Sequence, residues 1–101
     1  MLWWWLWACG MREPVDLAPA LAAQGEAARG EPRYQMTCAR CHGQSGRGVS
    51  RTPALAGRVH AMSDEVLLDA MLNGRGAMSP QRLSAEQAAD VLAYLRAEWP
   101  D

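Results

Sequence analysis

Apolar positions fall into three stripes of helical period, separated by stretches with no period at all. Between Ala27 and Arg40, Gly30, Tyr34 and Cys38 recur every fourth residue on one face, which predicts a first helix. Proline is tolerated only in a helix's first turn, so Pro32 puts the start of the regular helix near Glu31, with Ala27 to Gly30 as a looser lead-in. A second stripe joins Val66, Leu67, Ala70 and Met71. It follows Ser63, a good N-cap, with Asp64 and Glu65 in the first turn to complement the helix dipole, and it stops at Asn73-Gly74. The third stripe, Ala88, Val91, Leu92, Leu95 and Trp99, is bounded by Pro100. Ser84-Ala85-Glu86-Gln87 before it is a capping box, with Leu83 and Ala88 placed as a hydrophobic staple. The fold class expected is all-α.

The chain ahead of these stripes reads differently. Met1-Leu2-Trp3-Trp4-Trp5-Leu6-Trp7-Ala8-Cys9 is apolar but far shorter than the about 20 residues needed to span a bilayer. It reads as the apolar end of an export signal, residues 1–8, and Leu6-Trp7-Ala8-Cys9 resembles a lipoprotein-type cleavage box in which Cys9 takes the lipid. Residues 9–25, with Pro14, Pro19 and Gly25 and no sustained period, are expected to be a flexible tether. The domain proper is then 26–101.

Between the first and second stripes lies Cys38-Ala39-Arg40-Cys41-His42. On a helical or near-helical turn the two thiols form an i, i+3 pair on one face. Each thiol can add across one vinyl group of a haem, and the imidazole that follows can ligate the iron. This spacing is the c-type haem attachment signature, and His is the usual proximal ligand. A structural zinc site needs four ligands, and beyond this motif only Cys9 and His60 remain as Cys or His, with no second Cys-x-x-Cys. A thioredoxin-like pair calls for a preceding strand and a βαβ pattern, and neither is present.

Composition adds one constraint. The 101 residues suffice for one small domain, and a net charge of −1 gives no sign of nucleic acid or an anionic membrane surface as partner. Phe is absent, and four of the five Trp lie in the first seven residues. The folded part therefore has only Trp99, Tyr34 and Tyr94 as large aromatics, a weak core for its size. A covalently held haem would supply the missing apolar mass.

Gly30, Tyr34, Cys38-Ala39-Arg40-Cys41-His42-Gly43, then Thr52-Pro53-Ala54-Leu55-Ala56-Gly57, then Asn73-Gly74-Arg75-Gly76-Ala77-Met78-Ser79-Pro80, then Val91 and Tyr94 follow in order. Over residues 26–99 this succession resembles the class I mono-haem c-type cytochromes. The resemblance implies a small cytochrome c fold, three to four helices wrapped around one haem c. It implies covalent attachment through Cys38 and Cys41, His42 as proximal ligand and Met78 as distal ligand. Pro53 would accept the second ring N–H of His42 through its carbonyl, as metal-bound histidines require, and Leu55 would wall the pocket. The family usually has Pro directly after this Met, whereas here Ser79 intervenes. In the family the last helix crosses the first, so Gly30 and Tyr34 would meet Val91 and Tyr94.

The remaining sulfur and imidazole ligands have blander readings. Met71 sits in a helical stripe and is expected in the core, Met62 lies just before a cap, Met36 leaves the turn that carries the proximal side, and His60, the runner-up to Met78 as distal ligand in a lower-potential bis-His site, is expected to be a surface histidine. The implied function is a single-electron carrier rather than an enzyme, exported to a bacterial periplasm, with transient redox partners in a respiratory chain. Two alternatives stay open: a haem protein with a labile sixth site, gas-binding or peroxidase-like, and the haem subunit of a larger oxidase or dehydrogenase complex.

Overall fold

The computed structural model describes residues 13–48 and 54–101. Cys9 and Pro53 lie outside the described residues. The described chain forms α1 (Ala18–Ala22), α2 (Ala27–Thr37), α3 (Ala39–His42), a 3-10 turn (Val59–Ala61), α4 (Asp64–Asn73) and α5 (Ala85–Glu98). Among the described residues the only β-type pairing is an isolated antiparallel bridge, Arg75 to Met78. The class is all-α, as the three stripes predict.

The main contact is α2 against α5. Gly30 makes it close: a Cβ there would collide with the Asp90 carbonyl and lie 2.9 Å from Tyr94 Cβ. Gly25 meets the Ala89 carbonyl of the same helix in the same way. Asp90, only 8% exposed, joins the two helices by charge as well. It accepts from the Glu26 backbone N–H at 2.8 Å and from Arg29 Nε and Nη2, each at 3.1 Å. The Arg29 hydrogen bonds hold its carboxyl below the usual carboxylate range, helped by the Glu26 N–H and opposed by burial.

This attachment corrects the expected start of the first helix. Pro32 sits inside α2, which begins at Ala27 rather than near Glu31. Pro32 has no N–H for the ladder, but the turn ahead of it is held from outside. Asp90 caps the N-cap residue Glu26, and Gly30 lies flat against α5. Tertiary contact outweighs the local breaker.

The other helix ends follow their signals. Ser63 Oγ accepts from the Val66 N–H at 3.2 Å. Ser84 and Gln87 form the reciprocal capping box at 3.1 and 2.9 Å. Gly74, at φ +82°, ends α4. Arg96 of α5 reaches across to the 3-10 turn, donating to the carbonyls of Val59 and Met62 at 2.6 Å each and pairing with Asp64 at 2.7 Å. Tyr34, Leu68, Val59 and Val91 are the largest fully buried side chains. Met71, 4% exposed, belongs to this core as expected.

The stretch expected to be a free tether is in part docked. Its apolar residues are mostly alanines and show no sustained period, yet α1 packs on α5 and α4 and buries Ala20 to 2% exposure. Asn73, at the end of α4, hydrogen-bonds the backbone of Val15 in both directions. No helix among the described residues is long and apolar enough to cross a membrane.

Two substitutions test the α2–α5 contact. Helix propensity alone predicts that Gly30→Ala stabilises by about 1 kcal/mol. The collision with Asp90 should reverse the sign and give a loss of about 1–3 kcal/mol, read as a lower urea midpoint. Asp90→Asn addresses charge. Because the folded carboxyl is depressed, its stabilisation is present above the ordinary carboxylate pKa and is lost as pH falls through the folded value. The parent should therefore exceed the Asn variant in stability at neutral pH, and the gap should close below about pH 4, measured by unfolding at several pH values.

Candidate functional site

Cys38 closes α2 and opens α3, with φ −108° and ψ −33°. Its N–H donates to the Tyr34 carbonyl at 2.8 Å, and its own carbonyl accepts from Cys41 at 3.2 Å and His42 at 3.0 Å. The three residues thus sit on one nearly continuous helical turn, the geometry their spacing predicts. Both thiols are free; Cys38 is buried and Cys41 is exposed. Burial, then the neighbouring Cys41, pushes the Cys38 thiol up to about 11, so it is a neutral thiol at neutral pH. His42 is half-buried at the end of the turn.

Gly43 ends α3 with φ +81°. Its carbonyl accepts the hydroxyl of Tyr34 at 2.7 Å. Tyr34 is itself packed between Tyr94 and Trp99, with ring centroids 5.3 and 5.6 Å away. Burial raises its hydroxyl above the ordinary tyrosine range, so it stays a donor. The residue after His42 is therefore held by the aromatic cluster under the α2–α5 contact. Sequence reading assigned Tyr34 to packing alone. A hydrogen bond to a residue nine positions on has no signature in the chain.

The loop that follows is pinned in turn. Gly48 N–H donates to the His42 carbonyl at 2.8 Å. Gly46 lies against the Trp99 ring, where a Cβ would clash. Its carbonyl accepts from both Leu55 (2.6 Å) and Ala56 (2.9 Å). That bond pair brings half-buried Leu55 back to the loop that leaves His42.

Met78 comes from a separate turn between α4 and α5. Its N–H donates to the Arg75 carbonyl at 2.9 Å and its carbonyl accepts from the Arg75 N–H at 3.0 Å. Gly76 takes φ +58° at the tip of this tight turn. With both backbone groups engaged, the direction of the half-buried Met78 side chain is restricted. Met36 is 75% exposed and His60 is exposed.

The donor set suits a haem: two unbridged thiols one turn apart, an imidazole directly after them and a soft thioether on a held loop. It does not suit a protein-only metal site, since no group of three or more His, Cys, Asp or Glu positioned to hold an ion occurs among the described residues.

The site's electrostatics depart from the near-neutral total. Residues 32–63 and 74–85, which carry the motif and the Met78 turn, contain seven of the ten arginines and none of the eleven acidic residues. Arg40, Arg47, Arg58, Arg75 and Arg82 are all exposed. The ion pairs among the described residues involve only Arg29 and Arg96. Net charge conceals this partition, which a segment-by-segment count would have found.

Residues 25–95 match the family model described as cytochrome c oxidase, cbb3-type, subunit III. No curated protein matches the chain. Among solved structures, cytochrome cL from the marine methylotrophic bacterium Methylophaga aminisulfidivorans is 26% identical with a TM-score of 0.60, over 70% of this chain and 51% of that one. Cytochrome cL from Hyphomicrobium denitrificans is 26% identical with a TM-score of 0.59, over 86% and 52%. The sulfane dehydrogenase SoxCD from Paracoccus pantotrophus, at 19% identity and TM-score 0.64 over 89% and 58%, shares the fold. The chain spans about half the length of the cytochrome cL structures it matches.

Proposed function

This chain belongs to the c-type cytochrome family matched by that model, subunit III of cbb3-type cytochrome c oxidase, and on that premise we propose that it carries single electrons on one covalently attached haem c. The observation that carries the proposal is the pair of unbridged thiols, Cys38 and Cys41, on one turn with the His42 imidazole. When bound, the haem supplies one-electron chemistry at its iron.

The chain's own residues set the terms of that chemistry. Cys38 and Cys41 form the two thioethers. His42 is the proximal ligand, and an acceptor for its second ring N–H would fix ring orientation and raise basicity. Met78 is the distal ligand; its neutral thioether favours the reduced iron and raises the potential. Leu55 excludes water from the haem face. The Tyr34 hydroxyl on Gly43 and the Arg75 pairing of Met78 keep both ligand backbones fixed between oxidation states, so little reorganisation accompanies transfer. No acid, base or nucleophile is required.

In this reading residues 1–8 direct export to a periplasm, a lipid on Cys9 holds the protein at a membrane, and the domain within 26–101 meets transient redox partners of a respiratory chain. A second reading, supported by a family named for an oxidase subunit, makes the chain a resident haem subunit of a larger complex. Co-purification of stoichiometric oxidase or dehydrogenase subunits under mild detergent would select it.

The direct test is the absorption spectrum of the matured protein, oxidised and reduced, with and without CO. A low-spin spectrum with the sulfur–iron charge-transfer band, unmoved by CO, is expected. A high-spin or CO-responsive spectrum would replace the carrier with a gas-binding or peroxidase-like protein. Cys38→Ala or Cys41→Ala should each lose one thioether and most of the holoprotein, and His42→Ala its proximal ligation. Met78→Ala should open the sixth site, whereas Met71→Ala should leave the ligands in place and cost about 2–5 kcal/mol of stability.

The arginine partition gives a kinetic expectation. Oxidation by a small anionic reagent such as ferricyanide should slow as salt rises, and oxidation by a cationic cobalt complex should quicken. A net charge of −1 acting as a whole predicts the opposite trend for each, so stopped-flow rates at several ionic strengths decide it.

A further inference from the structure

The end of α4 is where the segment entering the domain and the Met78 loop come together. Asn73, the last residue of α4, accepts the Val15 N–H on Oδ1 at 2.6 Å and donates from Nδ2 to the Val15 carbonyl at 3.3 Å. A carboxamide offers one donor edge and one acceptor edge, which match a residue's own backbone pair. The grip is therefore on the main chain, and the Val15 side chain stays 43% exposed. Asp69 orients the amide, accepting from the same Nδ2 at 2.7 Å.

On the other side of Asn73 the Met78 loop starts with little slack. A Cβ on Gly74 would lie 2.6 Å from the Met78 carbonyl oxygen and 3.0 Å from Pro80 Cδ. The loop returns to the same helix end, where the Gln81 N–H donates to the Met71 carbonyl at 2.7 Å. Glu13 and Pro14 line a cleft with Leu72, Asn73 and Pro80, so the entering segment runs beside the loop itself. That segment is fixed further on by α1, which buries Ala20. Pro80 stands one position later than in the family pattern, and the entering segment, through Glu13 and Pro14, lies beside it.

We infer that Asn73 is a positioning residue: by clamping the Val15 backbone it holds the Met78 loop closed, so the entering segment controls how readily an outside ligand displaces Met78 from iron. This rests on the proposed distal role of Met78.

The test uses the full matured chain and the affinity of the ferric protein for added imidazole, which binds only when the thioether has left. Asn73→Ala removes the clamp from the helix side. Val15→Pro removes its N–H donor from the strap side, at an exposed position that contributes no buried side chain to the core. Each should tighten imidazole binding by about two- to tenfold, the factor carried by one hydrogen bond, and weaken the sulfur–iron charge-transfer band. The double variant should bind no more tightly than Asn73→Ala alone, which already removes both hydrogen bonds. Val15→Ala, which keeps both backbone groups, should match the parent. If Met78→Ala tightens imidazole binding while Asn73→Ala and Val15→Pro leave it unchanged, or if the two effects simply multiply, the clamp is overturned and Met78 stands. If Met78→Ala itself changes neither the affinity nor the band, the distal assignment fails, and the clamp fails with it.

Discussion

The contact between two backbones, α2 at Gly30 and α5 at Asp90, is the constraint on which the rest depends. Only a residue without a Cβ fits there, and the buried Asp90 carboxylate converts proximity into a fixed register by taking the Glu26 N–H and the Arg29 guanidinium. One turn further along α2, that register stacks Tyr34 on Tyr94 and Trp99. The Tyr34 hydroxyl then fixes Gly43, and Trp99 presses on Gly46. A helix contact remote in sequence from the histidine thus decides where the chain goes after it. In a domain with so few large side chains, the aromatic cluster and the backbone contact do what a broader apolar core does elsewhere.

Much of this was legible because helical period and caps are local signals. The stripes through Val66 and Val91, Ser63 and Ser84 as caps, and Gly74 as the end of α4 each depend on neighbours within a turn or two. The motif was legible for the same reason, its chemistry being confined to five consecutive residues. What escaped was long-range. The true start of α2 is set by Asp90, more than sixty residues away, and outweighs Pro32. The docking of residues 13–25 depends on Asn73 and on one small buried side chain, Ala20, neither of which makes a pattern. Asp90 itself sits within an otherwise small and apolar run, Ala88-Ala89-Asp90-Val91. An acidic residue there was a visible anomaly whose partner the chain could not identify.

Two kinds of fixing coexist around the site. The motif turn is held by packing and one buried hydroxyl, interactions that salt and modest changes of pH leave untouched. The Met78 turn is held by backbone pairing, and the helix end it leaves carries the half-buried Asn73 amide, which grips Val15. Local opening follows the weaker set of contacts, so the two segments differ in how firmly the fold grips them. The cationic segments include both, which gathers seven of the ten arginines on the segments that carry the proposed ligands.

Force is one variable to which the docked strap gives meaning. A pull on the residues ahead of Glu13 meets the Val15–Asn73 pair first and the short helix α1 next, and only then the α2–α5 contact. Two hydrogen bonds and the packing of Ala20 and Leu17 are a smaller contact than the α2–α5 crossing. The strap is therefore a sacrificial coupling: it can peel and re-seat while the aromatic cluster, the motif turn and the helix crossing stay intact. A domain fastened by its leading end would feel mechanical load at the Met78 loop and be shielded from it at the cysteines.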